Sequence, residues 1–129
     1  MRTITILLLL IPLINGCKKE DSSTSVTSVS PVFHIDLQAS FQNDSVRVSV
    51  DQNKLFAGTI TTSLILSLAT SISPSVTVGA HDIKVEIFNQ SVQADTTINV
   101  SDTITLAINY NRTSKIISFK TYPFALMYR

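Results

Sequence analysis

From Val32 onward, apolar and polar residues alternate with a period of two in segment after segment, as in half-buried strands whose successive side chains point to opposite faces. Phe33, Ile35, Leu37, Ala39 and Phe41 fall on one face, with His34, Asp36, Gln38 and Ser40 on the other. After a turn at Asn43-Asp44, Val46, Val48 and Val50 alternate with Arg47, Ser49 and Asp51. Asp51-Gln52-Asn53-Lys54 reads as a hairpin connection, because Asp and Asn tolerate turn conformations. Leu55 to Thr62 forms the next segment, with Gly58 marking a bulge or a close backbone approach. Leu64, Leu66 and Leu68 continue the alternation before a looser run to Pro74.

The second half keeps the rhythm. Val76 and Val78 precede a predicted turn at Gly79-Ala80, and Ile83, Val85 and Ile87 alternate with Asp82, Lys84 and Glu86. Ala94, Thr96, Ile98 and Val100 make a further strand, and Ile104, Leu106, Ile108 and Tyr110 another. Asn111 to Ser114 is a turn, and Ile117 and Phe119 belong to a closing strand that ends near Pro123. No segment sustains a helical period over three turns. Roughly seven or eight short strands at intervals of about eight to twelve residues predict an all-β fold, a single antiparallel β-sandwich over 32–129. For Tyr122 to Arg129, which carries Tyr122, Phe124, Leu126, Met127 and Tyr128, an edge strand or a plug over the core is the leading reading. A partner-binding tail is the other.

The start of the chain breaks this pattern. Met1-Arg2 supplies one positive charge, and Ile4 to Ile14 is an apolar stretch of about eleven residues, the length of a signal-peptide core and too short for a membrane-spanning helix. It ends in Leu13-Ile14-Asn15-Gly16-Cys17, which resembles the lipobox of bacterial lipoproteins. The match lies at Ile14, Gly16 and Cys17; Asn15 departs from the usual Ala or Ser. The resemblance implies cleavage between Gly16 and Cys17 and a diacylglycerol on the Cys17 thiol. A buried N-terminal strand or an uncleaved anchor with an incidental cysteine is the alternative. Each buried acyl methylene contributes about 0.8 kcal/mol, so two or three chains give lasting attachment to a membrane. The organisation is then a signal peptide over 1–16, a lipidated cysteine with a flexible Ser/Thr-rich tether over 17–31, and the sandwich over 32–129.

Lys18-Lys19-Glu20-Asp21, a Lys run followed by acidic residues just after the cysteine, resembles the surface-export signal of Bacteroidetes lipoproteins. It implies an outer-membrane destination, on the cell surface or on the periplasmic face. Val78 to Val85 looks like the Gly-x-His-x-aliphatic strand entry of bacterial immunoglobulin-like and PEGA-type modules, which implies an immunoglobulin-like sandwich serving as a spacer, display or binding platform.

Composition narrows the chemistry further. With 129 residues the chain has room for one domain. Its single cysteine excludes an internal disulfide and a cysteine-rich zinc site, so an exported domain depends on its core alone. A net charge of +1 with scattered basic residues argues against nucleic acid as a partner. His34 and His81, the only histidines, sit at polar-facing positions beside Asp36 and Asp82, and solvent-facing polar residues account for all four better than a metal site does. No Gly-x-Ser-x-Gly elbow occurs, and most of the aspartates fall at turns or strand ends. No catalytic residue, metal ligand or cofactor is assigned, and the chain reads as a non-enzyme. Asp44-Ser45-Val46, Asp95-Thr96-Thr97 and Asp102-Thr103-Ile104 resemble the O-glycosylation signal of Bacteroidetes envelope proteins, with Ser45, Thr96 and Thr103 as acceptors. The expectation is a lipid-anchored envelope module with a binding, display or accessory role, attached to a membrane and open to an envelope protein partner. A carbohydrate-binding or carbohydrate-processing surface protein is the alternative.

Overall fold

The computed structural model describes residues 30–129. Cys17 and Gly16, with the expected signal peptide and most of the expected tether, lie outside the described residues. Eight strands form two four-stranded sheets: β1 (Phe33–Leu37), β2 (Asp44–Val50), β3 (Asn53–Ile60), β4 (Thr70–Ile72), β5 (Gly79–Ile87), β6 (Val92–Val100), β7 (Ile104–Asn111) and β8 (Ile116–Tyr122). The first sheet has the order β4-β1-β7-β8 and the second β3-β2-β5-β6, so the all-β sandwich read from the alternation is the fold. Every pairing is antiparallel except that of β1 with β7, which is parallel from Phe33↔Ile104 to Leu37↔Ile108.

The core is the set of residues the alternation places inward. Phe33, Ile35 and Leu37 from β1, Val46, Val48 and Val50 from β2, Ile83, Val85 and Ile87 from β5, and Leu106, Ile108 and Tyr110 from β7 are all buried and packed together. Their β-branched and aromatic side chains suit a pleated surface packed on both sides of a narrow gap. Phe41 is also buried, but not as a strand residue: β1 stops at Leu37, and Phe41 turns in from the β1–β2 loop to lie 5.9 Å from the Tyr110 ring.

Local chemistry explains where the segments end. Asp51 and Gln52 have φ of 49° and 67°, the two left-handed residues of a tight mirror-image turn, so the β2–β3 hairpin is shorter than the four-residue connection expected. Partnering along β2 and β3 shifts between Val48 and Ser49, leaving Leu55 without a counterpart. That extra residue sets Phe56 against the core and leaves Leu55 exposed. The bulge is therefore at Leu55 and not at Gly58. Gly58 instead allows a close approach, since a Cβ there would sit 3.1 Å from the Phe56 ring.

Three segments depart from the sequence reading. Leu64, Leu66 and Leu68 do not extend a strand. Residues 61–69 form a loop in which Leu64 is 99% exposed, and β4 begins only at Thr70. Hydroxyls decide this, because Ser63 accepts the backbone N–H of Leu66 through Oγ and the N–H of Ser67 through its carbonyl, curling the chain back on itself. Gly79-Ala80 is not a turn but the first pair of β5, opposite Val100 and Asn99. Beyond β8, residues 123–129 form neither an edge strand nor a plug. They run back as a strap across the outer face of the first sheet, covering Thr105 and Ala107 of β7, both fully buried.

The chain enters β1 at the end of the sandwich that also carries the Asp51-Gln52 turn and loops 73–78 and 101–103. The opposite end carries loops 38–43 and 61–69 and turns 88–91 and 112–115. Replacing Leu106, which is wholly buried, by Ala should lower stability by about 2–5 kcal/mol in urea unfolding, whereas Leu64→Ala should stay within about 0.5 kcal/mol of the parent. Equal losses would place Leu64 in the core.

Candidate functional site

The buried polar groups of the described residues gather in three places, apart from the Tyr110 hydroxyl, which is buried beside Phe41 without a hydrogen-bond partner. The first is Asp44, read from the sequence as a turn residue and found fully buried at the start of β2. Arg112 in the β7–β8 turn reaches it with Nη1 at 2.9 and 2.7 Å from its two oxygens. The backbone N–H of Gln42 and the side-chain amides of Asn89 and Gln90 complete its shell. One carboxylate thus ties together the β1–β2 loop, the short helical turn at Phe88–Gln90 and the β7–β8 turn. A buried charge without such partners would cost several kcal/mol, on the order of 3–5.

The second is Asp36. The sequence places it on the solvent face of β1, and it does point away from the core. The strap then closes over it, leaving it 3% exposed. The Tyr128 hydroxyl donates to Asp36 Oδ2 at 2.6 Å and accepts from Gln38 Nε2 at 2.8 Å, while the Ser71 hydroxyl donates to Oδ1. Thr105 Oγ1 fixes the strap farther back by donating to the Phe124 carbonyl at 2.8 Å. Burial, and then the carboxylate beside it, push the Tyr128 phenol up to about 12 from an ordinary 10.0.

The third is His81, expected on a polar face but in fact sharing the inward face of β5 with Ile83 and Val85, 7% exposed. The bulky core gives out at this end of the strand, and the imidazole finds polar partners there. Nδ1 lies 2.7 Å from Asp51 Oδ2 and Nε2 lies 2.8 Å from the Thr77 carbonyl. A carboxylate and a carbonyl accept, so these two contacts match a ring that carries hydrogen on both nitrogens. The hydrogen bond the ring donates to Asp51, and then the one it donates to Thr77, raise its pKa above the ordinary 6.5, and the Asp51 contact holds that carboxyl below its usual 3.8. Asp51 also accepts the Asp82 backbone N–H at 3.0 Å, and the Asp82 charge acts on the ring in the same direction as Asp51. His34 lies elsewhere, with Nδ1 2.8 Å from Ser73 Oγ. The two histidines are not brought together.

Chemically, these arrangements are saturated. His81 has no free nitrogen to take or give a proton, and the Ser71 hydroxyl faces a carboxylate without a neighbouring base. Among the described residues no group of three or more His, Cys, Asp or Glu converges as a metal site, and no helix is long and apolar enough to cross a membrane.

A further surface feature is on the outer face of the second sheet. Arg47, Ser49, Asp82, Lys84, Glu86, Asp95 and Thr97 line an open depression of ≈ 680 Å³. Arg47 is bound to Glu86 at 2.6 Å and stacks on Phe88, 4.9 Å from its ring centre. Arg47, and to a lesser degree Lys84, hold the Glu86 carboxyl below its usual value. The lining contains carboxylates but no aromatic ring on which a sugar could stack. Of the three residues that resemble glycosylation acceptors in sequence, Ser45 lies near the start of β2, Thr96 on the edge strand β6 and Thr103 in the β6–β7 loop, each part-buried and far apart in the fold.

No sequence signal short of the fold itself could find the clusters, because each joins residues from separate strands. Arg112→Ala should cost about 2–4 kcal/mol, less than for a fully buried pair because the guanidinium is 32% exposed, and thermal unfolding measures it. The His81 contact has a defined pH signature. A raised folded pKa means that its stabilisation is fully present below 6.5 and is lost as pH rises through the folded value. Asp51, with a lowered pKa, keeps its contribution above 3.8 and loses it as pH falls through the folded value. Unfolding midpoints should therefore fall as pH rises from 6.5 into the alkaline range, and His81→Gln should flatten that slope; a slope unchanged by the substitution would remove His81 as its source. The chain matches no protein-family model, no curated protein and no solved structure.

Proposed function

We propose that this chain is a lipid-anchored envelope module whose β-sandwich binds, displays or supports other components and carries out no reaction. The observation that carries the non-catalytic reading is the saturation of the three buried polar clusters. Asp44, Asp36 and His81 each spend their hydrogen-bonding capacity on residues of the same domain. Catalytic groups face a cavity where a substrate atom can reach them; these face other strands, a turn or the strap. Their roles are structural, and they supply the cross-links that a domain with one cysteine cannot obtain from disulfides.

The anchoring part of the reading rests on the order of residues in the first nineteen positions: a positive charge, a short apolar run, Gly16 before Cys17, then Lys18-Lys19. The geometry of the domain suits it, since the chain enters β1 at one end of the sandwich and a tether attached there leaves both sheet faces and the opposite end free. Outer-membrane residence, with Lys18 to Asp21 as the export signal, belongs to the same proposal. A carbohydrate-binding role has one feature in its favour, the open depression beside Arg47 and Glu86, and the missing aromatic lining counts against it.

In a bacterial host the chain should incorporate labelled palmitate and fractionate with membranes, and Cys17→Ala should abolish both. Equal labelling of parent and variant would overturn the anchor. Protease treatment of intact cells then reports which face of the membrane the sandwich occupies.

A further inference from the structure

The end of the sandwich opposite the chain's entry presents large apolar side chains to water. Leu64 is 99% exposed and Ile65 84% at the tip of loop 61–69, while Phe88 and Ile116 project from the neighbouring turns, each more than half exposed. Isolated exposed apolar residues are ordinary; several at one end are not. The tip is held out by a frame and is not a loose flap. Ser63 N–H donates to the Leu68 carbonyl at 3.0 Å and Ser67 N–H to the Ser63 carbonyl at 2.8 Å. At its base Thr62 exchanges bonds with the β1–β2 loop, donating its N–H to the Phe41 carbonyl and accepting the Phe41 N–H on Oγ1.

Among the described residues, the charge at this end outside closed ion pairs is that of Lys115, since Arg112 is bound to Asp44 and Arg47, beside Phe88, to Glu86. No Asp, Glu, Lys or Arg occurs between Lys54 and Asp82, so the projecting loop is neutral and ringed by hydroxyls. Beside it, the β7–β8 turn carries exposed Lys115 and part-exposed Arg112. The acidic side chain within these loops and turns, Asp44, is fully buried and already bound to Arg112. Ser40 and Gln42 line the hollows on both sides, next to Leu64 on one and Arg112 on the other, so the apolar and basic parts form one continuous surface.

We propose that this end is a membrane-docking surface for anionic lipid, with Leu64 and Ile65 entering the acyl region and Lys115 at the headgroups. A convex tip exposing two aliphatic side chains on nearly every side buries them best in a medium that flows around it. A basic residue flanking such a tip is what a negatively charged bilayer attracts. The contact is distinct from Cys17, lies at the other end of the domain and stands whether or not the cysteine is acylated.

The chain has no tryptophan, so Ile65→Trp places a single fluorophore at the tip, and Val78→Trp places one at the opposite end, where Val78 is 65% exposed. Both are made in the full chain with Cys17→Ala and checked for parental circular dichroism. Vesicles of phosphatidylglycerol and phosphatidylcholine should blue-shift the Ile65→Trp emission, and brominated acyl chains should quench it. The Val78→Trp emission should not move, and pure phosphatidylcholine should have far less effect on either. Lys115→Gln in the Ile65→Trp background should weaken vesicle binding about 5-fold. An unmoved Ile65→Trp emission would overturn the proposal, as would equal shifts of both probes, which would mean that the N-terminal apolar segment brings the chain to the bilayer. A shift that needs no vesicles and grows with protein concentration would assign the tip to a second copy of the chain instead.

Discussion

Strand β1 hydrogen-bonds in parallel with β7, from Phe33 beside Ile104 to Leu37 beside Ile108, and most of the architecture follows from that one ladder. A parallel pair needs a long connection between its strands, and here the connection is most of the domain. Seating β1 between β4 and β7 puts Phe33, Ile35 and Leu37 opposite the second sheet and completes the core. It also puts Asp36 next to Ala107, on the strip of outer surface that the strap covers. The direction of β1 fixes which end of the sandwich receives the preceding chain, and hence which end is left to face away from it.

The strands were legible because their faces differ so sharply. In β2 and β5 alternate residues are buried to completion, and a pattern of Val and Ile against Arg, Ser, Lys and Glu has one stable placement. Leu64 to Leu68 shows the limit of this reading. Leucines recur at every second position there, but Ile65 between them is apolar too. Ser63 also closes a local hydrogen-bonded loop before a strand partner is reached, a competition that side-chain period alone does not record. The buried polar residues were illegible for another reason. Asp36 is polar-facing by sequence and becomes buried only because residues 123–129 cross above it; Asp44 is a turn residue until Arg112 reaches it. His81 reads as surface because its partners, Asp51 and Thr77, come from a hairpin and a loop. Each depends on a contact between segments distant in the chain.

The three polar clusters divide the labour of holding the molecule. Asp44 fastens loops at one end, the His81–Asp51 contact fastens the other, and Asp36 fastens the strap along the side. Apolar burial fixes how the sheets face each other but leaves their rims loose, since loops contribute little to the core. Hydrogen-bonded charges at the rims supply direction and register there, which suits a domain whose single cysteine lies before the first strand.

The strap has a consequence for how the chain reaches its final state. Ribosomal synthesis delivers β1 well before β7, and residues 123–129 after all eight strands. Until Tyr128 has emerged, the Asp36 carboxylate lacks one of its two hydroxyl donors and the surface over Thr105 and Ala107 stays wet. Until β7 has emerged, β1 lacks the neighbour that carries it. A nascent chain that has not yet reached β7 is an unfinished sheet with open edges, so the sandwich closes only once β7, β8 and the strap have followed β1 out.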